Sequence, residues 1–427
     1  MSWAEAGDPA SAYARTLLTR HAISAAVPET GKARSTAADW ADSGAMALTG
    51  TSSGPPRLVE GAPATAVRGA LLALESLARI AGLDPTGLPD ARVLSERAAY
   101  MGLRRNGRTS AGGASRLLDA ADGSLAMTLS REDDFAALPA LTGGDVPATD
   151  PWPAVVDWVA RTSAAEVVAR AELLGLAAGV VDSSVPAAVT TTPAIEPVTP
   201  AALPRAPLVV DLSALWAGPL CGHLLGRLGA RVVTVESTSR PDPTRTVAPG
   251  FHGLLRGRTE LVTVDLATPA GLARLTELVT SADVVIESSR PRALLQLGIY
   301  PAEIVAASKA CSWISITAYG RAHNRVGYGD DVAASAGLLG TATGFDAPVF
   351  AADAIGDPLT GVHAAVAALA GVLTGASTVV DLAMYDVVRA TRTPLRDATV
   401  VERSGVWYVD DGRALTAVRN PAVRSGT

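Results

Sequence analysis

A chain of 427 residues with 48% hydrophobic and only 18% charged side chains has enough apolar surface for two or three packed cores, which excludes an intrinsically disordered protein. The formal net charge is −6, and no basic run is interleaved with aromatics, so nucleic acid is excluded as a partner. Cys221 and Cys311 stand far apart outside any CxxC spacing, and the five histidines form no HxxxH or HxH pair, which excludes a disulfide scaffold and a zinc site and fits a reducing cytoplasm.

The opening MSWAEAGDPAS lacks the basic and apolar regions of a signal peptide, so none is expected. Residues 64–82, ATAVRGALLALESLARIAG, have the spacing of a strong helix. Residues 115–130, SRLLDAADGSLAMTLS, read as a helix or extended arm, a turn at Asp122-Gly123, and a strand. WPAVVDWVART and SAAEVVARAELLGLA then read as two helices of a small mixed domain. Residues 183–207 are rich in Pro, Thr and Ala, a composition that sustains neither helix nor central strand, so they form an extended linker.

Beyond the linker the pattern alternates. LVVDL (208–212) is a short apolar run suited to a strand buried on both faces, and residues 218–229 have helical spacing ending in glycine. ARVVTVE, DVVIE and SWISIT continue as strands, with TPAGLARLTELVTSA and YPAEIVAAS as helices between them. Such alternation implies βαβ units. The expected fold is α/β: a Rossmann-like open parallel sheet with helices on both faces, plus a smaller mixed α+β domain. The boundaries are an N-terminal segment 1–82, a small domain 83–182, the linker 183–207, a Rossmann-like domain 208–390 and a C-terminal arm 391–427.

Residues 361–380 carry no Asp, Glu, Lys or Arg and are about as long as a bilayer requires, but they contain His363 and three glycines. A buried helix from Thr360 to Leu373 followed by the strand TVVDLAM fits better, so no membrane span is expected. One internal repeat stands out. Residues 42–82 and 335–375 both run from a small-residue Gly turn through a T-G loop, a Pro and an apolar strip to a glycine-led apolar helix. Gly44 pairs with Gly337, Pro55 with Pro348, Gly69 with Gly361 and Gly82 with Gly375. The matched order points to duplication of one parent unit, while a single distant copy is not a solenoid.

The first strand–turn–helix is where a dinucleotide would need GxGxxG, but the turn is SALWAGP with the lone Gly218, which disfavours NAD. Across VVDLSALWAGPLCGHLLGRLGARVVTVE, RPDPTR, RGRTELVTVDLATPAG, ADVVIESSRPRALLQLGI, SITAYG, DPLTGVHAAVAALAGVL and VDLAMYD, the chain resembles the family III CoA-transferases, which include formyl-CoA and carnitine CoA-transferases and the related α-methylacyl-CoA racemases. The likeness covers residues 208–390, and LLDAADGSLAM resembles the family's small domain, here placed before the Rossmann part instead of after it.

The resemblance implies coenzyme A or an acyl-CoA as substrate, a carboxylic acid as acceptor, and neither metal nor redox cofactor. The phosphates would meet backbone N–H groups at Ala217 and Gly218, where a helix begins, and arginines at the carboxyl edge of the sheet, whose planar fork bonds two oxygens at once. Of Arg245, Arg256, Arg258, Arg290 and Arg292, Arg258 and Arg290 are favoured, with Arg245 and Tyr328 also assigned to CoA. In the family an aspartate attacks the acyl-CoA to give a mixed anhydride, which the released thiolate converts to an enzyme–CoA thioester that passes CoA on. The family's Asp precedes the turn glycine by eight positions, and counting back from Gly337 lands on Gly329. Reading the extra glycine in GYGDD as an insertion puts Asp330 in the attacking place. Asp331 is the second candidate, and either acid could instead cap the helix that follows. Asp353 and Asp357 resemble the family's second acidic position. A racemase would need histidine where Tyr328 stands, so that activity ranks below transfer, beside a silent CoA-binding subunit. RTSAGGASR (108–116) resembles the glycine loop that closes over the site in some members, and the family's dimers imply a homodimer here.

Overall fold

The structure is a computed structural model in which residues 7–28, 33–182, 184, 200–341, 347–394 and 398–423 are described. Of the proposed linker only Ser184 and residues 200–207 fall within that set. The N-terminal half opens with helices α1 (Pro9–Arg20) and α2 (Thr36–Asp42), the short strand β1 (Leu58–Val59) and the long helix α3 (Pro63–Ala81). Proline at the first turn of α3 and Gly82 in the left-handed conformation after its last residue fix both of its ends. After α4 (Glu96–Met101) the chain builds the small domain: β2 (Ser115–Ala120), β3 (Gly123–Thr128), α5 (Glu132–Ala136), α6 (Leu138–Thr142), α7 (Trp152–Ala160), α8 (Ala164–Leu174) and β4 (Ala177–Val180). Its core is separate, formed by residues such as Leu125, Met127, Leu138, Val155 and Val167.

Two expectations change here. SRLLDA is a strand, not a helix or arm: it pairs antiparallel with β3 across the Asp122-Gly123 turn, burying Leu117 and Leu118. The small-domain core also starts later than residue 83, because Ala91, Val93, Leu94 and Ala98 pack into the large core instead.

The second half contains β5 (Leu208–Asp211), α9 (Ala217–Arg227), β6 (Arg231–Ser237), α10 (Thr244–Val247), α11 (Pro249–Arg256), β7 (Glu260–Val264), α12 (Pro269–Ser281), β8 (Val284–Glu287), α13 (Pro291–Gln296), α14 (Pro301–Ala307) and β9 (Ser312–Thr317). It continues with α15 (Gly329–Ser335), β10 (Leu339–Thr341), β11 (Val349–Phe350), α16 (Gly356–Thr374), β12 (Thr378–Ala383), α17 (Met384–Arg389) and the antiparallel sheet β13 (Thr399–Arg403), β14 (Val406–Asp410) and β15 (Leu415–Ala417). Six strands form one parallel sheet in the order β12-β9-β8-β5-β6-β7. The alternating pattern therefore gives the expected open α/β sheet. β5 and β8 are neighbours, yet the chain leaves β5 toward β6 and leaves β8 toward β9, so the strand order reverses between them.

Helix α16 is long and apolar enough to cross a membrane by length and composition, but 83% of its most apolar window is buried inside the protein. It packs against α3, α9 and β9 at the centre of the largest core.

The repeat is structural. α2 and α15 begin at Thr36 and Gly329 and end at Asp42 and Ser335, a constant step of 293 positions. α3 and α16 begin at Pro63 and Gly356 and end at Ala81 and Thr374, the same step. Gly44 and Gly337 share the left-handed conformation (φ +77° and +79°), as do Gly82 and Gly375 (φ +75° and +64°). Each long helix is crossed at a glycine by another helix, the two crossing glycines, Gly69 and Gly361, standing 292 positions apart, one short of that step. A Cβ on Gly69 would lie 2.6 Å from the Ala10 carbonyl oxygen and 2.8 Å from Tyr13 Cβ. On Gly361 it would lie 2.6 Å from the Ala217 carbonyl oxygen and 3.0 Å from Leu220 Cβ. α1 is thus the counterpart of α9, and the duplicated unit is longer than the 42–82 repeat visible in the sequence.

A buried histidine ties α1 to α16. His363 contacts the Leu359 carbonyl through Nδ1 (2.7 Å) and the Tyr13 hydroxyl through Nε2 (2.8 Å). Burial lowers its pKa to about 4. A base that titrates lower in the folded state contributes stability that is complete above the unfolded value near 6.5 and is lost as pH falls toward the folded value. The His363 contribution, about 3 kcal/mol, should therefore disappear between pH 6.5 and 4. Urea unfolding of the wild type and His363→Leu checks this: their stability difference should shrink steadily over that range, and a difference independent of pH refutes it.

Candidate active site

At the reversal point, beyond the carboxyl ends of β5, β8 and β9, lies a cleft of about 240 Å³. Its walls are the β5–α9 turn (Ala214, Leu215, Ala217), the turn after β8 (Ser288, Ser289, Arg290) and the end of β9 with Ala318. Residues 325–328, Arg131, His323 and Met384 complete the lining, with Asp357 from the first turn of α16. Open α/β sheets bind ligands at such a point because adjacent loops diverge there. Leu215 adopts φ +68° at the cleft wall, a strained conformation for a side chain of its kind.

Three cations face this cleft, and sequence reading found only one. Arg290 lines it and makes no ion pair among the described residues. Arg131 comes from the small domain, held by Asp134 (2.5 Å) and the Gly175 carbonyl (2.8 Å). Arg325 stacks 3.7 Å from the Tyr319 ring centre and donates to the Ala178 carbonyl (2.8 Å). Its position beside GYGDD was a signal in the sequence; Arg131 offered none. The other assigned arginines lie elsewhere. Arg256 is buried, binding Asp211 (2.5 Å) and the Ser213 carbonyl (2.7 Å), so it fastens the sheet. Arg245 pairs with Glu236 (2.7 Å), and Arg258 and Arg292 are exposed outside the cleft lining. Ala217 and Tyr328 line the cleft as expected; Gly218 does not, being a packing glycine whose Cβ would collide with Ser213.

The two adjacent acids do not reach the cleft. Asp331 is fully buried: Oδ1 accepts from the Tyr328 N–H (2.9 Å) and the Thr128 hydroxyl (2.8 Å), so it caps the α15 N-terminus. Asp330 is 7% exposed and accepts from the Ala354 N–H (2.8 Å) and, weakly, the Ser115 hydroxyl (3.4 Å). Burial raises the pKa of both. α15 runs regularly from Gly329, and Tyr328 to Gly337 spans the same length as Ser35 to Gly44 in the first copy.

Position 329 is instead confined to glycine by what surrounds it. Its N–H donates to Asp357 Oδ2 (3.0 Å), and a Cβ would lie 2.2 Å from the Ala354 carbonyl oxygen and 2.3 Å from Asp357 Oδ2. The Asp357 carboxylate therefore occupies the space into which a side chain at 329 would project, and among the described residues it is the one carboxylate lining the cleft. Burial raises its pKa to about 7, opposed by Arg97 and reinforced by Asp330. Beneath it, Asp353 is fully buried and gripped at both oxygens by Arg97 (2.9 and 2.5 Å). The neighbouring Ala352 and Ala354 both adopt positive φ (+56° and +41°). The glycine-rich segment 108–116 lies over this pair, since a Cβ on Gly112 would come within 3.3 Å of Arg97. Among the described residues no group of three or more His, Cys, Asp or Glu side chains could hold a metal ion.

Residues 207–403 match the family model of CoA-transferase family III. The resemblance drawn from the sequence is thereby borne out, and the matched segment contains every described cleft residue except Arg131. Succinyl-CoA–D-citramalate CoA-transferase of Chloroflexus aurantiacus is 32% identical over 201 residues, covering 43% of this chain and 49% of that one. Formyl-CoA:oxalate CoA-transferase of Escherichia coli is 27% identical over 223 residues, covering 46% and 51%. A CAIB/BAIF family protein from Brucella suis aligns in structure with a TM-score of 0.43 at 25% identity, covering 47% of this chain and 64% of that one. The chain spans about half the length of the curated relatives it matches.

Proposed function

We propose that the chain moves CoA between carboxylic acids, using Asp357 as the nucleophile of the cleft. The observation that carries this is the placement of the Asp357 carboxylate where a side chain at position 329 would project, facing the cleft while Asp330 and Asp331 are buried. The ionised carboxylate attacks the thioester carbonyl; the C–S bond breaks, leaving an aspartyl mixed anhydride and CoA thiolate. The thiolate then attacks the aspartyl carbonyl, releasing the first acid as its carboxylate and leaving an aspartyl–CoA thioester. An acceptor carboxylate repeats the two steps in reverse, regenerating Asp357. Arg131, Arg290 and Arg325 supply positive charge for the CoA phosphates, as the chemistry of a guanidinium fork requires.

Incubation with succinyl-CoA, chemical trapping and peptide mass spectrometry tests the assignment. An adduct on Asp357 is expected. An adduct on Asp330 returns the role to the acid singled out in the sequence, and CoA binding without any adduct identifies a silent subunit. The raised pKa of Asp357 also suits a base acting on the α-proton. Deuterium incorporation at the α-carbon without transfer would establish that reading instead.

A further inference from the structure

The two copies of the duplicated unit are arranged as a pair of subunits would be. α3 packs directly against its own counterpart α16, the mark of an isologous contact. β1, from the first copy, pairs antiparallel with β10 of the second, with Leu58 opposite Thr341 and Val59 opposite Gly340.

The hairpins that follow each copy are exchanged. The β2–β3 hairpin, turning at Asp122-Gly123, follows the first copy but docks on α15 of the second, where Ser115 and Thr128 donate to Asp330 and Asp331. The antiparallel β14–β15 hairpin, whose connection contains Asp411-Gly412, follows the second copy but docks on α2 of the first. There the Ser35 hydroxyl donates to Asp411, and the Arg419 N–H donates to the Ala41 carbonyl (2.9 Å). Each hairpin thus covers the helix of the other copy, the reciprocity of an exchanged dimer realised within one chain.

The copies differ in chemistry. In the first, α1 ends at Arg20 and α2 begins at Thr36, leaving fifteen residues where the second copy inserts β6 to β9 between α9 and α15. The positions matching Asp330, Asp331 and Asp357 at the step of 293 are Ala37, Ala38 and Ala64. The first copy thus lacks these acids. It nonetheless contributes to the second, because Arg97 reaches from α4 to Asp353.

We propose that this protein is a monomer that carries its partner subunit within itself. The N-terminal half covers the α16 face and completes a single ligand cleft per chain. An isologous contact uses the same patch on both participants, so once α3 and α16 cover each other a second chain finds neither free. The single cleft rests on the function proposed above; the monomeric state does not.

Sedimentation equilibrium of the full chain across a dilution series reads the first part and should give 43.4 kDa at every concentration. Twice that mass overturns the proposal. Calorimetric titration with CoA reads the second part and should give one site per chain, while two sites overturn it. A monomeric mass with no CoA binding upholds the internal pair and refutes the functional reading instead.

Discussion

Asp357→Asn should abolish acyl transfer, lowering kcat at least about a hundredfold, with little change in stability. The amide keeps an oxygen for the Gly329 N–H and removes a buried group that burial already pushes toward neutrality. What it removes is the anion that attacks the thioester. Because Asp357 titrates near 7, the wild-type rate should rise with pH through that value as the carboxylate ionises, and the variant should lose that limb. Asp330→Asn is the control. That acid is buried against the Ala354 N–H, so its substitution should affect melting temperature more than rate. Initial rates of CoA exchange between pH 5.5 and 8.5 decide between them. Full activity in Asp357→Asn, or an equal loss in Asp330→Asn, ends the assignment.

The contrast between these two acids shows what the sequence could and could not convey. Strands such as VVIE and SWISIT were legible because both faces of the central sheet are buried, which fills them with β-branched and aromatic residues such as Val, Ile and Trp among a few buried polar ones. The edge strand β7 has no such requirement and is mostly exposed, so its pattern gave no clear signal. SRLLDA was ambiguous because alanine and leucine suit helices as well as strands, and its partner β3 decided the matter. The cleft depends on convergence that linear order conceals. Gly329 and Asp357 are 28 positions apart, and only the packing of α15 against the first turn of α16 shows that the acid fills the space denied to the glycine. Arg131 likewise reaches the cleft from a different domain. The repeat, by contrast, was visible because glycines answer fixed demands: left-handed helix ends in register at Gly82 and Gly375, and, one place out of that register, close helix crossings at Gly69 and Gly361.

Arg97→Met should be the most destabilising single change near the site, costing about 3 kcal/mol or more. Asp353 is fully buried, and Arg97 bonds both of its oxygens. Without the guanidinium, a buried carboxylate is left uncompensated close to Asp330 and Asp357. The sign of the pH dependence follows from this. Burying an unpaired carboxylate is costly only while it carries its charge, so the loss should be smallest in acid and grow as pH rises. Arg97 also holds down the pKa of Asp357, so any activity that survives should have its rising limb displaced to higher pH. Arg97→Lys keeps the charge but not the two-oxygen grip and should fall between the two. The double variant Arg97→Met/Asp353→Leu separates a packing role from a charge role. Removing both partners should recover much of the stability lost in the single variant, because the unpaired charge goes with them. Urea unfolding of the wild type, Arg97→Met, Asp353→Leu and the double variant at pH 5 and pH 8 measures this. Losses that simply add would mean that the Arg97–Asp353 contact carries no coupling, and that the N-terminal half meets the acid cluster only by packing.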